Sequence, residues 1–370
     1  MGGGVLIMAG GTGGHVFPAL AVARRLIEAR VPVAWLGTRA GLEARVVPAS
    51  NLPIHMEWIA IRGLRRKGLL GWLLAPITVS LAMLQAWRAF RRQRPGVVLS
   101  FGGYVTGPGS LVAKLARVPL VIHEQNAVPG FTNRVLAPLA THVLTGFPGA
   151  FGELTAARHV GNPVRPEIVQ LPPPEVRYAG RTGRLRLLIV GGSQGAQVFN
   201  EVVPAAIGAL SADARPEIRH QCGRGRQARV EAAYRLGHAD ARVTEFIDDM
   251  AQAYTWADIV LCRAGAMTVA ELAAAGVAAV LVPYPHAVDD HQTANAKFLS
   301  GRGAAILISQ NEFHPGQLRE LLTEIGGNRE PLLKMALAAR ACAMPDAAEI
   351  VATVCQETVA QHAHGGATHA

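Results

Sequence analysis

Short apolar runs alternate with longer amphipathic segments along most of the chain, and glycine or polar turns bound each run. Runs this short and this rich in Val, Ile and Leu are typical of strands buried on both faces, as in a parallel sheet. A helical pattern follows most of them, which indicates repeated strand–helix–strand units. The first series of predicted strands comprises residues 5–8, 31–36, 97–100, 120–123 and 142–144.

A second series of the same kind follows a proline-rich stretch. Its predicted strands comprise residues 185–190, 218–221, 243–246, 259–262, 279–282 and 304–307. The prolines in 161–166 and 171–174 disfavour both helix and sheet, so this stretch suits a connector. Since 370 residues exceed what one core usually organises, we predict an α/β protein of two Rossmann-like domains with parallel sheets.

The predicted boundaries follow from this pattern. We expect domains at 1–163 and 164–345, a terminal helix at 346–362 that crosses back to the first domain, and a disordered tail at 363–370. The sequence begins without a basic segment before its first apolar run, which argues against a cleaved secretory signal. The four cysteines show no CxxC pair, which is typical of reduced core residues in a cytoplasmic protein.

The formal net charge of +10 predicts attraction to an anionic partner, such as nucleic acid, nucleotide phosphates or an acidic membrane. The sign of the charge does not choose among them. Aromatic residues make up only 5% of the chain and the basic residues are dispersed, which argues against a nucleic-acid stacking surface.

Three glycine-rich turns each follow a predicted strand and open a predicted helix, at 10–15, 102–107 and 191–195. Glycine lets the backbone turn sharply and lets a phosphate approach the amides at the positive end of a helix. Each turn could instead be a tight connection without a ligand. The three together favour a nucleotide phosphate.

Two common nucleotide-binding motifs do not fit these turns. Counted from Gly11, the pattern G-x-G-x-x-G meets Val16 where glycine is required, and Thr38 follows the second predicted strand where an NAD ribose needs an acidic residue. No Gly-Lys-Ser/Thr triplet of a Walker A loop occurs.

A segment after the strand at 259–262 offers two interpretations. Thr268 and Glu271 have capping-box spacing, so Thr268 could cap a helix and Glu271 could return the bond. Alternatively the helix start binds a diphosphate and Glu271 accepts bonds from a ribose diol. The proline-fixed loop at 282–296 suits a polyhydroxyl ligand. Its Asp289-Asp290-His291 run suits a solvated helix start better than a metal site, and we predict no metal.

These motifs in this order resemble those of the bacterial peptidoglycan N-acetylglucosaminyltransferases of the GT-B superfamily, over nearly the whole chain. The segments that carry the resemblance are 10–18, 100–104, 123–126, 161–165, 191–195, 263–271 and 290–295. The resemblance implies two domains whose parallel sheets face each other across a cleft. It also implies inverting transfer of GlcNAc from UDP-GlcNAc to the C4 hydroxyl of MurNAc in lipid I, which forms lipid II, with no cofactor.

Site residues follow from the resemblance, motif by motif. The residues expected to bind the donor are Thr12, Gly13, Gly14, Asn126, Arg165, Ser193, Ile247, Ala266, Met267, Thr268, Val269, Ala270, Glu271 and Gln292. Tyr104 is expected to contact the acceptor. His15 is the candidate general base, with Glu124 as the alternative; His15 could instead only order its loop or bond a phosphate. His291 stands where some relatives carry glutamine, which weakens the sugar assignment in that loop.

An uncharged stretch at 68–87 lies between basic clusters and is long enough to span a bilayer. Pro76 and the polar residues within this stretch argue instead for an apolar patch on an anionic membrane surface, with Trp72 and Trp87 near the interface. A buried crossover helix is the third possibility. We expect peripheral attachment at the cytoplasmic face of the inner membrane, with UDP-GlcNAc and lipid I as partners and no nucleic acid.

Two other functions remain open on the sequence. A UDP-sugar epimerase of the same architecture needs no apolar acceptor surface, and a catalytically silent membrane scaffold needs no donor site. Product analysis and donor-binding calorimetry discriminate them.

Overall fold

The computed structural model describes residues 3–61, 75–192 and 195–367. They divide into two compact units: unit 1 comprises Met1–Arg165 with Met344–Ala370, and unit 2 comprises Pro166–Ala343.

Unit 1 contains a seven-stranded sheet in the order β3-β2-β1-β4-β5-β6-β7, with every neighbouring pair parallel. The strands are β1 Val5–Met8, β2 Val33–Gly37, β3 Ile54–Trp58, β4 Val97–Ser100, β5 Leu120–Glu124, β6 His142–Thr145 and β7 Ala157–His159. The prediction missed β3 and β7 because they are the two edge strands and carry partly exposed, polar-rich sequences.

Helices cover both faces of this sheet. They are α1 Gly13–Glu28, α2 Glu43–Ala49, α3 Ala75–Gln93, α4 Thr106–Leu115, α5 Phe131–Leu136 and, from the end of the chain, α15 Ala347–Ala367. Apolar residues of α1, α2 and α15 pack on one face, and those of α3, α4 and α5 pack on the other. The terminal helix is therefore part of unit 1.

The tail prediction needs a correction, because α15 continues to Ala367 and thus covers most of the predicted disordered segment at 363–370. Once a helix is anchored by packing, each further residue adds a backbone bond at little cost, so the packed part extends it. Residues 368–370 lie outside the described residues.

Unit 2 contains a six-stranded sheet in the order β10-β9-β8-β11-β12-β13, again with parallel neighbours. The strands are β8 Arg186–Val190, β9 Glu217–Gln221, β10 Arg242–Thr244, β11 Ile259–Cys262, β12 Ala278–Leu281 and β13 Ile306–Leu307. The helices are α6 Pro166–Val169, α7 Pro174–Tyr178, α8 Gln197–Gly208, α9 Gln227–Leu236, α10 Met250–Trp256, α11 Ala266–Ala275, α12 His291–Ser300, α13 Pro315–Gly326 and α14 Glu330–Ala341. The parallel sheets of both units confirm the predicted Rossmann-like class.

The strand order of each sheet reverses at one point. In unit 1 the reversal falls between β1 and β4, and in unit 2 it falls between β8 and β11. Loops that leave the carboxyl ends of adjacent strands diverge at such a point and open a crevice where ligands bind. The three glycine turns follow β1, β4 and β8, so all of them lie at a reversal.

A buried carboxylate stabilises unit 2 at the amino ends of its strands, just before β11. Asp258 is fully buried, and its Oδ2 accepts hydrogen bonds from the Arg186 amide (3.0 Å) and Arg329 Nε (3.2 Å). Its Oδ1 accepts a hydrogen bond from Arg181 Nη1. Two guanidinium groups thus depend on one carboxylate.

Replacement of that carboxylate should destabilise unit 2. We expect Asp258→Asn to lower the free energy of unfolding by about 3 kcal/mol, because it leaves two partly buried guanidinium groups without their anion. Urea unfolding followed by circular dichroism measures the change. Glu330→Gln is the control, since Glu330 and Lys334 form an exposed pair, and it should leave the unfolding midpoint unchanged. Equal effects of the two substitutions would contradict the assignment.

Candidate functional site

The glycine turn after β1 forms the floor of the candidate site in unit 1. Gly11 has φ +92°, a conformation that favours glycine, and the Tyr104 ring packs against it. Thr12 is the N-cap of α1, and no side chain in the described residues caps this helix end. The first-turn amides of Gly13 and Gly14 therefore belong to a helix start that suits an anion.

His15 is held in the first turn of α1 by a backbone acceptor. Its Nδ1 lies 3.2 Å from the Gly10 carbonyl oxygen and 3.4 Å from Thr12 Oγ1. Because a carbonyl can only accept, the Gly10 contact requires the proton on Nδ1. In the neutral ring, Nε2 then carries the lone pair and can accept a proton.

The glycine turn after β4 leaves space beside Nε2 of His15. Gly102 and Gly103 have φ +93° and +89°. A Cβ at Gly102 would lie 3.4 Å from His15 Nε2, and one at Gly103 would lie 2.5 Å from the Gly10 carbonyl oxygen. Here glycine serves to bring two backbone turns together around the imidazole ring.

The pKa of His15 suits a side chain that accepts a proton near pH 7. Burial lowers the pKa of His15 below its ordinary value of 6.5, while the negative charges of Glu124 and Glu43 and the bond to Gly10 oppose that shift in part. The ring is therefore neutral at pH 7. If Nε2 took a proton, the negative charges of the same two carboxylates would stabilise the imidazolium.

Glu124, the alternative base, is almost fully buried and accepts four hydrogen bonds. Its Oε1 accepts from the Asn126 amide (2.9 Å) and Asn126 Nδ2 (3.2 Å). Its Oε2 accepts from the Gly130 amide (3.0 Å) and Asn133 Nδ2 (2.9 Å). These bonds fix the loop after β5, so Asn126 is placed through Glu124.

Two more residues complete the polar groups of unit 1. Arg165 lies over the Phe17 ring of α1, with its Cζ 5.9 Å from the ring centroid. His123 is fully buried, and its Nε2 lies 2.9 Å from the Gly161 carbonyl oxygen. Burial lowers the pKa of His123 to about 4, so its ring is a neutral support for the loop at Gly161.

In unit 2 the strand β11 leads into a helix start at Gly265. The helix α11 begins at Ala266 with Gly265 as N-cap, and within the described ranges no side chain caps it. The interpretation that Thr268 caps this helix is therefore wrong, since Thr268 already lies inside the first turn. The amides of Ala266, Met267 and Thr268 precede the first intrahelical bond, which Val269 donates to the Gly265 carbonyl oxygen (2.9 Å), and a helix start of this kind suits a diphosphate.

Glu271 lies in the second turn of α11 and is partly exposed. Its Oε2 accepts a hydrogen bond from the Tyr254 hydroxyl at 3.2 Å. That bond orients the carboxylate without protonating it, so it can still accept bonds from a diol.

Two side chains that the sequence analysis did not select hold this helix start to its neighbours. Arg263 donates to the carbonyl oxygens of Val282 (3.0 Å) and Pro283 (3.1 Å). Asn295 is fully buried and donates to the Ala264 carbonyl oxygen at 3.2 Å. No local motif marks such roles, because the partners are distant in the chain.

The remaining predicted donor residues lie on loops of unit 2. Gln292 Oε1 accepts from the Tyr284 amide (2.9 Å), which fixes the loop before α12. Ile247 lines a cavity of about 340 Å³ with Arg219, Arg242 and Phe246. Ser193 lies outside the described residues.

Two family models match the chain. The glycosyltransferase family 28 N-terminal domain matches residues 5–145, and the glycosyltransferase family 28 C-terminal domain matches residues 186–351. The first match covers β1 to β6 of unit 1, and the second covers all six strands of unit 2.

Known proteins resemble the chain over nearly its whole length. The UDP-N-acetylglucosamine–N-acetylmuramyl-(pentapeptide) pyrophosphoryl-undecaprenol N-acetylglucosamine transferase of Nitrosococcus oceani is 53% identical, over 95% of this chain and 98% of the relative. The crystal structure of Acinetobacter baumannii MurG has a TM-score of 0.82 at 42% identity, over 96% of this chain and 99% of that one. UDP-GlcNAc 2-epimerase from Neisseria meningitidis has a TM-score of 0.67 at 12% identity, over 96% and 99%, which shows the fold alone.

The lowered pKa of His15 predicts a pH profile. We expect the acid limb of kcat/KM for sugar transfer to have its midpoint below pH 6.5, with a loss of about tenfold per pH unit beneath it, because protonated His15 cannot accept a proton. Initial rates between pH 4.5 and about 8 measure the limb. His15→Gln should abolish it. A midpoint above 6.5, or the same limb in the variant, would contradict the role.

Proposed function

We propose that this chain, which belongs to glycosyltransferase family 28, transfers N-acetylglucosamine from UDP-GlcNAc to N-acetylmuramyl-(pentapeptide) pyrophosphoryl-undecaprenol, lipid I. The product is lipid II, a precursor of peptidoglycan. The observation that carries the proposal is the match with transferases of this name at 53% identity over 95% of this chain. The MurG structure, at 42% identity, supports the same assignment.

The chemistry begins with the acceptor hydroxyl in unit 1. His15 Nε2 takes the proton of the MurNAc C4 hydroxyl while its oxygen forms a bond to C1 of GlcNAc. The bond from C1 to the diphosphate oxygen breaks on the opposite face, so the configuration inverts and UDP leaves. Tyr104, which packs beside the glycine turn, contacts the acceptor.

Glu124 acts as a positioning residue in this scheme. Its four bonds from neutral donors occupy the carboxylate, and its negative charge stabilises the imidazolium of His15. This favours His15 over Glu124 as the base. Asn126, placed by Glu124, contacts the donor sugar.

Unit 2 binds the UDP part of the donor. The amides of Ala266, Met267 and Thr268 donate to the diphosphate, whose negative charge grows as UDP departs. The amide of Val269 already donates to the Gly265 carbonyl oxygen (2.9 Å), so Val269 and Ala270 contribute through the helix dipole. Glu271 accepts bonds from the ribose diol, and Ile247 flanks uracil. Ser193 contacts a phosphate and Gln292 donates to a sugar hydroxyl.

Residues of unit 1 complete donor binding. The α1 start at Thr12, Gly13 and Gly14 offers backbone amides to the diphosphate or sugar. Arg165 supplies a guanidinium for the diphosphate charge. Backbone dipoles and this cation stabilise the leaving group, so the scheme includes no metal ion.

The outer face of α3 carries an apolar surface that suits a membrane. We define the α3 surface as Ile77, Leu81, Leu84 and Trp87, whose exposed fractions are 59%, 54%, 47% and 38%. The inner face packs through small residues, Ala82, Ala86 and Ala89. Arg88 and Arg91 lie beside this surface and are exposed, so their guanidinium groups can contact anionic head groups.

The α3 surface supports peripheral attachment at the cytoplasmic face of the inner membrane. Among the residues that the structure describes, no helix is both long and apolar enough to span a bilayer. Trp72 and the first part of the predicted apolar stretch lie outside the described residues. The epimerase alternative has the support of a shared fold only.

The first test is sugar transfer itself. With radiolabelled UDP-GlcNAc and lipid I we expect label in lipid II, and little label with UDP-GalNAc or UDP-glucose. His15→Ala should lower kcat by about 10²-fold or more, since a general base supplies roughly 10² to 10⁴. Epimerised UDP-sugar from UDP-GlcNAc alone would instead support the epimerase, and near-normal turnover of His15→Ala would exclude it as the base.

A second test addresses the membrane. We expect the triple substitution Ile77→Ser, Leu81→Ser and Leu84→Ser to weaken binding to phosphatidylglycerol vesicles at least about tenfold. Three apolar side chains that would be buried in the lipid on binding are then replaced by polar ones. Vesicle flotation measures binding, and high salt should release the wild type in part. Leu236→Ser is the control, since Leu236 is 83% exposed on unit 2. Equal binding of the triple variant and this control would contradict the proposal.

A further inference from the structure

A second buried carboxylate, which contacts neither substrate in the proposed reaction, lies beneath the glycine turn of unit 1. Glu43 is the first residue of α2, and its side chain is fully buried. Its Oε1 accepts from the Thr38 amide (2.8 Å) and the Thr38 hydroxyl (2.9 Å), and its Oε2 accepts from the Gly11 amide (3.2 Å). All three donors are uncharged groups.

Three glycines make room for this carboxylate: Gly10 after β1, Gly37 at the end of β2 and Gly41 in the loop before α2. A Cβ at Gly10, Gly37 or Gly41 would lie 2.8, 2.7 or 2.2 Å from the nearest Glu43 atom. Real Cβ atoms essentially never approach another atom this closely, so a side chain at any of the three positions would displace Glu43 from its hydrogen bonds. Glycine at these positions therefore accommodates Glu43, a role distinct from phosphate binding.

The bond to Gly11 controls the group that holds His15. The Gly11 amide and the Gly10 carbonyl belong to one planar peptide, and in a trans peptide the N–H and C=O point in opposite directions. The N–H of this peptide points to Glu43, and the C=O points to His15 Nδ1 at 3.2 Å. The orientation of one peptide thus links Glu43 to the imidazole.

A peptide between two glycines reverses at low steric cost. In the reversed orientation the Gly11 N–H would face His15 Nδ1, so Nδ1 would become the acceptor and the ring proton would move to Nε2. Nε2 could then not take a proton from a hydroxyl. An ionised carboxylate only accepts hydrogen bonds, so Glu43 disfavours the reversed peptide, whose carbonyl oxygen it would face.

We propose that Glu43 is a positioning residue for the transfer reaction, which fixes the Gly10–Gly11 peptide and thereby holds His15 in the tautomer with its lone pair on Nε2. The proposal rests on the proposed role of His15 as the base. Glu43 itself contacts neither substrate.

Glu43→Gln tests this role, because the glutamine NH₂ can donate to the carbonyl of a reversed peptide. In full-length protein labelled with ¹⁵N-histidine, the two imidazole tautomers have distinct ¹⁵N shifts, and His15→Gln identifies the His15 resonances. We expect the Nδ1–H form in the wild type and a substantial Nε2–H population in Glu43→Gln. We also expect kcat to fall about tenfold or more while KM for UDP-GlcNAc stays within about twofold.

Glu57→Gln is the matched control, since Glu57 is also buried in unit 1 but bonds Arg92 and Gln93 on α3. It should leave the His15 tautomer and kcat, measured with a soluble acceptor, unchanged. A Glu43→Gln protein that keeps the Nδ1–H form, with kcat equal to the control, would overturn the proposal. Should Glu43→Gln fail to fold, Glu43→Asp, whose shorter side chain cannot reach both Thr38 and Gly11, is judged by the same criterion.

The tautomer measurement needs no turnover. A wild type without transfer activity would contradict the proposed function, whereas the resonances of His15 would still decide the role of Glu43.

Discussion

The common strand direction within each sheet is the constraint on which the candidate site depends. Because all neighbouring strands are parallel, the loops after β1, β4 and β5 meet at one edge of unit 1, and those after β8 and β11 meet at one edge of unit 2. The reversal of strand order opens each edge at the point where a glycine turn lies. Segments far apart in the chain, such as those of His15 and Glu124, thereby become neighbours.

Backbone groups have a large part in the proposed chemistry. The Gly10 carbonyl sets the proton position on His15, and in the proposed reaction the start of α11 offers amides to a diphosphate. Buried carboxylates act mainly by accepting hydrogen bonds that fix this backbone: Glu43 holds the turn after β1, and Glu124 holds the loop after β5. The main effect of these two carboxylates is thus to fix the backbone around the site.

The sequence predicted the features that local pattern determines. Val5–Met8, Val97–Ser100 and Ile259–Cys262 match their predicted strands, since strands buried on both faces are uniformly apolar. The edge strand Ile54–Trp58 was not predicted, because only part of it is buried and its sequence is not uniformly apolar. Thr268 was wrong as a cap because spacing alone does not fix where a helix begins.

Groups placed by tertiary contacts could not be predicted. Glu43 meets Gly11, which lies 32 residues away, and Arg263 meets carbonyl oxygens about 20 residues further along the chain, and no motif marks either pairing. The resemblance of motifs supplied the list of site residues, but it did not distinguish a base from a carboxylate already bonded by four donors. The proposed choice of His15 over Glu124 is based on the hydrogen bonds of Glu124.

A crystal structure with UDP-GlcNAc tests the central claim most directly. We expect the diphosphate at the amino end of α11, with the ribose hydroxyls on Glu271. A nucleotide bound away from the α11 start and from Glu271, with these residues unchanged, would contradict it.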